Sequence, residues 1–310
     1  MRKITFGVFL LPETNLLDFG GITQAFIEAR DFGLNIELII CGEHNEIVTN
    51  AGVKIKGVKN YQEIEIGSID YLFIISANYK YVFSRKFKPS DELLNWVKQI
   101  HESGTKICAV CIGAFLIGAA GLLDNIKCTT HWKKTSELKK QFPLSKVHED
   151  VLFIEDNNII TSAGSSSGID LALYIISKIK DENTSHKIAR ELVMFGRRGG
   201  STPQESVFLK YRNHYHNGIH KVQDYIINNI NEKMYISELS DMANMSERNF
   251  CRIFKKETSV TVFDYITRIR KEFITRLLQN PDLSKKQIAN KVGLESERQL
   301  NRIIKKDLVV

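Results

Sequence analysis

The sequence lacks any uncharged apolar run of about 18 residues or more, the length that a helix needs to cross a bilayer. The apolar stretch at residues 1–9 is short, and Glu13 and Asp18 interrupt the segment after it, which favours a first β-strand over a signal sequence. We therefore expect a cytoplasmic protein with no membrane partner. Its 310 residues, 43% hydrophobic and 25% charged, are typical of a globular chain with two domains.

Cysteines are few and scattered. There are five, an odd number at wide spacing, which is typical of a reduced protein rather than a disulfide-linked secreted one. Cys108 and Cys111 have the spacing of a redox pair, but they span the end of an apolar run, which favours structural cysteines. No Cys/His cluster has zinc-ligand spacing, and His214, His216 and His220 form a loose polar group. We therefore predict no metal and no cofactor.

Positive charge is concentrated in one part of the chain. Residues 1–180 hold 20 Lys and Arg against 20 Asp and Glu, so the net charge of +7 lies wholly in residues 181–310. Such a local excess indicates a polyanionic partner for that part, although many basic segments are merely solvated.

The first 180 residues alternate apolar runs with helical patterns. The β-branched apolar runs lie at residues 4–10, 36–41, 71–75, 107–110 and 159–162. The helical patterns lie at residues 16–32, 91–103, 112–122 and 165–179. This alternation predicts an α/β domain over residues 1–195, with a flavodoxin-like parallel sheet sandwiched by helices.

The pattern changes after that domain. Residues 197–203 read Arg-Arg-Gly-Gly-Ser-Thr-Pro, and this cluster of Gly, Ser and Pro predicts a linker over residues 196–217. From residue 218 to 310 only short helical patterns remain, separated by Asn, Ser or Pro, which predicts an all-α domain.

An internal repeat is the most specific feature of the all-α domain. The eleven residues 246–256, SERNFCRIFKK, recur at residues 296–306 as SERQLNRIIKK. Seven of the eleven positions are identical, which indicates duplication of one structural unit. Each copy has apolar residues at i, i+3 and i+4 that must face a core, and arginines one turn apart on the opposite face.

The surroundings of each copy predict a helix-turn-helix unit. Ser246 and Ser296 are suited as N-caps, with hydroxyls that can accept a backbone N–H. A short helical pattern precedes each copy, and Asn244 or Gly293 marks the turn, where a left-handed residue is needed. The helix-turn-helix motif consists of a short helix, a tight turn and a second helix, which here has arginines on its outer face.

A long helical pattern at residues 262–279 joins the two units. It would span roughly 27 Å, near the roughly 34 Å of one DNA turn. Residues 221–310 resemble the AraC family of DNA-binding domains over nearly their full length. Two departures are Val262, where the family commonly has proline, and the end at Val310, where similar proteins usually continue.

The repeat and the resemblance together predict a double-stranded DNA operator as the partner. We expect four arginines to enter successive major grooves, where arginine can bind guanine O6 and N7; they are Arg248, Arg252, Arg298 and Arg302. The other predicted contacts, to bases or phosphates, are Ser246, Asn249, Lys255, Lys256, Arg268, Arg270, Lys271, Ser296, Gln299, Asn301, Lys305 and Lys306. For each side chain the alternative is an ordinary solvated group.

In the α/β domain, Cys111 stands between an apolar run and a helical pattern. A strand, a sharp turn and a helix form the nucleophile elbow of hydrolases, here with cysteine in place of serine. The positive end of a helix lowers the pKa of a thiol. The local sequence supports a reactive Cys111 and a small buried cysteine equally well.

Further segments resemble the PfpI and class I glutamine amidotransferase-like superfamily. They are VCIGAF at residues 110–115, AAGLL at residues 119–123, TTHW at residues 129–132 and SAG at residues 162–164. The likeness is greatest to isocyanide hydratases and to GlxA-type regulators, in which this domain precedes an AraC-type domain. The resemblance implies Asp18 as the acidic partner of Cys111, and a homodimer formed through the α/β domain.

Departures from that superfamily argue against catalysis. Proteolytic members have His after the nucleophile and hydratase-like members have Thr, whereas this chain has Ile112, which can neither take a proton nor hold a water. His131 is the candidate substitute. The run Ser76-Ala77-Asn78 replaces the Pro-Gly-Gly with which relatives often supply backbone N–H groups to a substrate.

Three functions remain open on the sequence. The favoured one is a transcription regulator whose α/β domain binds a small-molecule effector or dimerises, with RNA polymerase as a further partner of an activator. The alternatives are a regulator that detects oxidants through Cys111, and a hydratase or amidase with a DNA-binding appendage.

Overall fold

The chain divides into two units, Met1–Gln204 and Glu205–Val310. The computed structural model describes residues 2–84, 87–194, 196–278 and 282–305. The boundary lies within residues 196–217, the linker expected from the sequence. This segment is divided between the units: the carbonyls of Gly200 and Thr202 accept the N–H of Leu152 in the first unit, and a helix that starts at Val207 belongs to the second.

A mostly parallel sheet forms the centre of the first unit. The strands of this unit are β1 (Ile4–Leu10), β2 (Ile36–Gly42), β3 (Glu46–Val48), β4 (Lys54–Lys56), β5 (Lys59–Asn60), β6 (Tyr71–Ile74), β7 (Lys106–Val110), β8 (Lys127–Cys128), β9 (Lys146–Val147), β10 (Phe153–Asp156) and β11 (Ile159–Ser162). Within the described residues, seven strands pair in the order β10-β11-β7-β6-β1-β2-β5. Only β10 among these runs antiparallel to its neighbour. Two small sheets pair β3 with β4 and β8 with β9.

Helices flank this sheet. They are α1 (Leu16–Asp31), α2 (Tyr79–Val82), α3 (Asp91–Glu102), α4 (Ala114–Ala119), α5 (Thr135–Gln141), α6 (Ser166–Ile179) and α7 (Glu182–Glu191). Helix α1 packs against α6 and α7, and α3 packs against α4. The predicted α/β class is confirmed. The edge strand β10 and the strands of two or three residues were not predicted, because they are too short to show a periodic pattern.

Aromatic side chains fill the core between β1, β6 and α1. Phe6 stacks on Phe26 with ring centroids 4.0 Å apart, and Phe73 meets Phe26 edge-on. All three are fully buried, and burying a side chain of this size stabilises the fold by roughly 1.5–3 kcal/mol. The strands read as uninterrupted apolar runs because a parallel sheet is covered on both faces.

Short helices build the second unit. They are α8 (Val207–Lys210), α9 (Asn217–Asn228), α10 (Ile236–Met242), α11 (Glu247–Thr258), α12 (Val262–Leu277), α13 (Lys285–Lys291) and α14 (Glu297–Lys305). One core lies among α9, α10, α11 and α12, and a second among α12, α13 and α14, with Phe273 packed against both. Phe250 and Phe254 of the first repeat copy are fully buried in one core, and Leu300 of the second copy in the other. The all-α domain with two helix-turn-helix units is confirmed.

Both turns between paired helices adopt the left-handed backbone that the sequence predicts. Asn244 has a φ of 54° and Gly293 a φ of 68°. A Cβ at Gly293 would lie 2.8 Å from the carbonyl oxygens of Ile230 and Asn231. Glycine is therefore needed here for space as well as for its φ.

The longest helices in the described ranges, α1 and α12, have 16 residues each. No helix of the described chain combines the length and the apolar character that a membrane crossing requires. The predicted end of α12 at residue 279 lies outside the described residues.

Candidate functional site

Four loops meet at one edge of the large sheet, where β1, β6, β7 and β11 end. The register aligns these ends, because Phe9 pairs with Ile74, Ile74 with Ala109, and Ser162 with Val110. The carboxyl ends of parallel strands share one edge, so the residues just beyond them come together there. Those residues are Asp18, Ser76, Cys111, Gly164 and Ser165.

Cys111 occupies the sharp turn between β7 and α4. Its φ of 55° is a left-handed backbone that residues with a side chain seldom adopt. Gly164 of the neighbouring loop makes room for it, since a Cβ at position 164 would lie 2.8 Å from Sγ of Cys111 and closer still to its Cβ. The backbone has the strand, turn and helix of a nucleophile elbow.

The surroundings of Cys111 favour the protonated thiol. Burial, and then the negative charge of Asp18, raise the pKa of Cys111 to about 12. Hydrogen bonds with the Ser76 side chain and with the backbone of Ile112 and His131 lower this pKa, but by less. The lowering of the pKa expected at a helix N-terminus is therefore outweighed. The desolvation penalty of the thiolate is larger than its stabilisation by the dipole of the short helix α4.

Asp18 is a buried carboxyl beside this thiol. It lies in the first turn of α1, where the Asn15 side chain accepts its backbone N–H. Ser165 donates its backbone N–H to Oδ1 of Asp18, and burial raises the pKa of the carboxyl to about 6. The Ser76 side chain also hydrogen-bonds the Asp18 carboxyl, and among the described residues Oγ1 of Thr14 and Oγ of Ser162, close in sequence to these strand ends, are buried without a hydrogen-bond partner. Buried polar atoms of this kind are costly to leave unpaired.

His131 reaches Cys111 through its backbone rather than through its ring. Its N–H hydrogen-bonds with the thiol, whereas its Nδ1 accepts the N–H of Lys133 over 3.3 Å and its ring stacks on Trp132. Burial, and then the charge of Lys133, lower the pKa of the imidazole. The ring of His131 thus contacts Lys133 and Trp132, and Ile112 beside Cys111 is a buried aliphatic side chain.

Other cysteines and histidines lie in structural environments. Cys108 is a fully buried free thiol in β7, and burial raises its pKa well above the usual range. His214 and His220 stack with ring centroids 4.1 Å apart, and His214 hydrogen-bonds Gln223. No three His, Cys, Asp or Glu side chains of the described residues are arranged to hold a metal ion.

Helix α11 carries the first set of predicted DNA-reading side chains. Its exposed members are Arg248, Asn249, Arg252, Lys255 and Lys256. The guanidinium of Arg252 donates to Oδ1 of Asn249 over 2.9 Å, which holds both side chains on the outer face. Ser246 stands at the N-cap with an extended backbone, but its hydroxyl makes no capping hydrogen bond. The predicted side-chain cap is wrong for this copy, since an exposed hydroxyl can bind water instead.

Helix α14 presents the second set. Arg298 and Arg302 are exposed, and Gln299 and Asn301 are half-buried. The hydroxyl of Ser296 accepts the N–H of Gln299 over 3.3 Å, while Oε1 of Gln299 accepts the N–H of the residue before Ser296 over 3.0 Å. Gln299 therefore also stabilises the start of its own helix. Lys306 and the side chain of Lys305 lie outside the described residues.

The basic residues of α12 differ in their environments. Arg268 is exposed, with its guanidinium 5.8 Å from the ring centre of Tyr211. Arg270 is half-buried, donates to the carbonyl of Glu232 over 3.4 Å, and has its pKa lowered by burial. Lys271 is also half-buried. Arg268 is thus the basic side chain of this helix that is best placed to meet a phosphate.

Sequence reasoning missed Ser165 and misjudged the part played by Ser76. Ser165 has a φ of 50°, and this backbone turns its N–H toward a carboxyl 147 residues away in the chain. No local pattern around Ser165 signals such a contact. The sequence shows Ser76 only as a departure from a Pro-Gly-Gly run, whereas its side chain hydrogen-bonds the thiol of Cys111.

Known proteins resemble both units. The sequence model of the DJ-1/PfpI family matches residues 4–178, and that of a helix-turn-helix domain matches residues 239–308. The HTH-type transcriptional regulator CdhR of Pseudomonas aeruginosa is 22% identical over 303 residues, which cover 96% of this chain and 87% of that protein. The HTH-type transcriptional regulator GlxA of Rhizobium meliloti is 25% identical over 211 residues, 68% of this chain and 64% of that protein.

Solved structures share the fold of a large part of the chain. An AraC family transcriptional regulator from Pseudomonas putida superposes with a TM-score of 0.54 at 14% identity, covering 61% of this chain and 99% of that one. A THiJ/PfpI family protein from Pseudomonas syringae gives a TM-score of 0.55 at 18% identity, covering 79% of this chain and 90% of that one. The chain therefore belongs to the DJ-1/PfpI family, here joined to a C-terminal helix-turn-helix DNA-binding domain.

Proposed function

We propose that this protein is a sequence-specific transcription regulator that reads operator DNA with α11 and α14. The observation that carries the proposal is the paired construction of the two helices. Each turns its apolar residues into its own core and leaves two arginines one turn apart on the exposed face. An arginine presented in this way can donate two hydrogen bonds to one guanine. The names of CdhR and GlxA, both HTH-type transcriptional regulators, support the same function.

The exposed lysines provide the sequence-independent part of this binding. Lys255 and Lys256 lie in the last turn of α11, and Arg268 lies on α12. Charged side chains at the ends and sides of a recognition helix contact phosphates and release counterions. The basic excess of residues 181–310 favours the same partner.

We propose that the α/β unit binds a small-molecule effector at the sheet edge around Cys111. The unpaired buried hydroxyls of Thr14 and Ser162 support this site, because a ligand that satisfies them gains hydrogen bonds that the protein alone does not make. The regulator would act as a homodimer on paired half-sites, in the cytoplasm, with RNA polymerase as its partner when it activates.

We further propose that the unit is not an enzyme. With the pKa of Cys111 raised to about 12, its nucleophilic thiolate is scarce at neutral pH, and neither Ile112 nor the ring of His131 serves as its base. Turnover of isonitriles or amides that disappears in Cys111→Ala would overturn this part of the proposal.

Selection of bound duplexes from a random library, followed by titration of the selected duplex, tests the DNA-reading role. We expect Arg302→Ala to weaken binding of the selected duplex by about 1–3 kcal/mol and to relax sequence preference at one position. Arg252→Ala should do the same in the other half of the site.

The matched control is Arg190→Ala, which removes the same charge from the exposed surface of the α/β unit. It should leave the affinity unchanged. An equal loss on selected and scrambled duplexes would make Arg302 a phosphate contact, and selection that yields no preferred sequence would refute sequence-specific reading.

A further inference from the structure

Gln204, the last residue of the α/β unit, is bound by its side chain to the loop beside Cys111. Its Oε1 accepts the backbone N–H of Trp132 over 2.7 Å, and its Nε2 donates to the carbonyls of Thr130 over 2.9 Å and Val151 over 3.0 Å. The backbone N–H of Gln204 donates to Oδ1 of Asp150 over 2.9 Å. One side chain thus joins two loops and uses both its acceptor and its donors.

The loop that Gln204 holds, residues 129–132, also supports the cysteine. The hydroxyl of Thr130 donates to the carbonyl of Cys111 over 2.8 Å, and the backbone of His131 hydrogen-bonds with the thiol. Thr129 is anchored in turn, since its N–H donates to Oγ1 of Thr161 over 2.7 Å. The path from the side chain of Gln204 to the backbone of Cys111 therefore runs through Thr130.

The segment before Gln204 is fastened to the same unit. Arg198 donates through its Nε and its backbone N–H to the buried carboxylate of Asp170, over 2.9 and 3.0 Å, and Leu152 donates its N–H to the carbonyl of Gly200 over 2.8 Å. These bonds leave Gln204 as the last anchor before Glu205, the first residue of the helical unit.

We propose that Gln204 is a positioning residue that couples the sheet edge around Cys111 to the DNA-binding unit. A shift of residues 129–132, caused by a ligand that binds beside Cys111, would break the hydrogen bonds of Gln204 and release the chain at the junction of the two units. Coupling between two sites is reciprocal, so DNA binding would in turn alter the environment of Cys111. This inference rests on the proposed regulatory function.

The chemistry of glutamine allows a sharp test. Gln204→Glu keeps the shape and the acceptor for Trp132, but it sets a carboxylate against the carbonyls of Thr130 and Val151 and removes the donor. Gln204→Ala removes all these contacts without adding charge. Gln62→Glu makes the same charge change at an exposed position of the same unit and serves as the control.

The readout is the rate at which iodoacetamide alkylates Cys111 in the folded full-length protein, resolved by peptide mass spectrometry. In the absence of DNA, we expect Gln204→Glu and Gln204→Ala to speed alkylation about tenfold, because the loop over the thiol loses its hydrogen bonds. Gln62→Glu should match the wild type. If both position-204 variants also match the wild type, Gln204 does not position the loop.

The same rates are then measured with a saturating amount of the selected duplex. We expect the duplex to change the wild-type rate about fivefold or more, and to leave the rates of both position-204 variants unchanged while they still bind DNA. A wild-type rate that is insensitive to the duplex, or a variant that keeps the full response, would overturn the coupling. If the proposed function is wrong, the protein will instead bind selected and scrambled duplexes with equal affinity. The alkylation rates measured without DNA then still show whether Gln204 positions the loop.

Discussion

Replacing Asp18 by asparagine tests whether a charged carboxylate is buried beside Cys111. Burial raises the pKa of Asp18 from 3.8 to about 6. The folded protein therefore holds this proton more tightly than the unfolded chain does, so protonation stabilises the fold. That stabilisation is complete below pH 3.8 and is lost as the pH rises through 6. Each pKa unit corresponds to about 1.4 kcal/mol, so the ionised carboxylate destabilises the fold by about 3 kcal/mol.

Asp18→Asn abolishes this pH dependence. The amide keeps an acceptor for the N–H of Ser165 but adds buried donors. These unpaired donors offset part of the stability gained by removing the buried charge. We expect the difference in unfolding free energy between variant and wild type to grow by about 2 kcal/mol, in favour of the variant, from pH 4.5 to pH 8. The thiol of Cys111 stays protonated over this range and contributes little.

Urea unfolding followed by tryptophan fluorescence gives the required free energies, because Trp96 and Trp132 are the two tryptophans of the chain and both lie in the α/β unit. Asp124→Asn, at an exposed position of the same unit, is the control and should show no such change. If the difference between Asp18→Asn and the wild type is the same at both pH values, the carboxylate is not desolvated and the reasoning is wrong.

Two further predictions concern Gly293 and Cys111. Gly293→Ala should destabilise the helical unit by about 1–3 kcal/mol, because it adds a Cβ at a φ of 68° and 2.8 Å from two carbonyl oxygens. Circular dichroism measures this loss of helical stability, and the unfolding of the α/β unit followed by tryptophan fluorescence should not change. Cys111, with its pKa near 12, should have fewer than about one thiol in ten thousand ionised at pH 7.5 and react far more slowly than exposed Cys251. Equal alkylation rates at the two cysteines would contradict its burial.

The helical unit could be predicted from the sequence in considerable detail. The positions of Phe250, Phe254 and Leu300 indicated which face of each second helix is buried, and Asn244 and Gly293 indicated the turns. These features depend on residues within one or two helical turns of each other, so local patterns contain the necessary information. The missing side-chain cap at Ser246 is a feature that the local pattern did not predict, because an exposed hydroxyl can hydrogen-bond with either the backbone or water.

The main strands and helices of the α/β unit were predictable, but its short strands and the chemistry of its site were not. The apolar run before Cys111 predicted the strand, and the turn followed from it. Whether the thiol is activated depends on desolvation and on Asp18, which lies 93 positions earlier in the chain. The sequence therefore left a reactive and a buried cysteine equally open.

The sequence by itself determined the α/β and all-α classes, the main strands and helices, and the outward arginines of the repeated helix, because periodicity, turn residues and duplication are properties of neighbours along the chain. Only the tertiary structure decided the high pKa of Cys111, the bond from Ser165 to Asp18 across 147 residues, and the bond from Gln204 to Thr130 across 74. Burial and hydrogen bonding depend on neighbours in space, and these become known only when the strands have been placed in order and register.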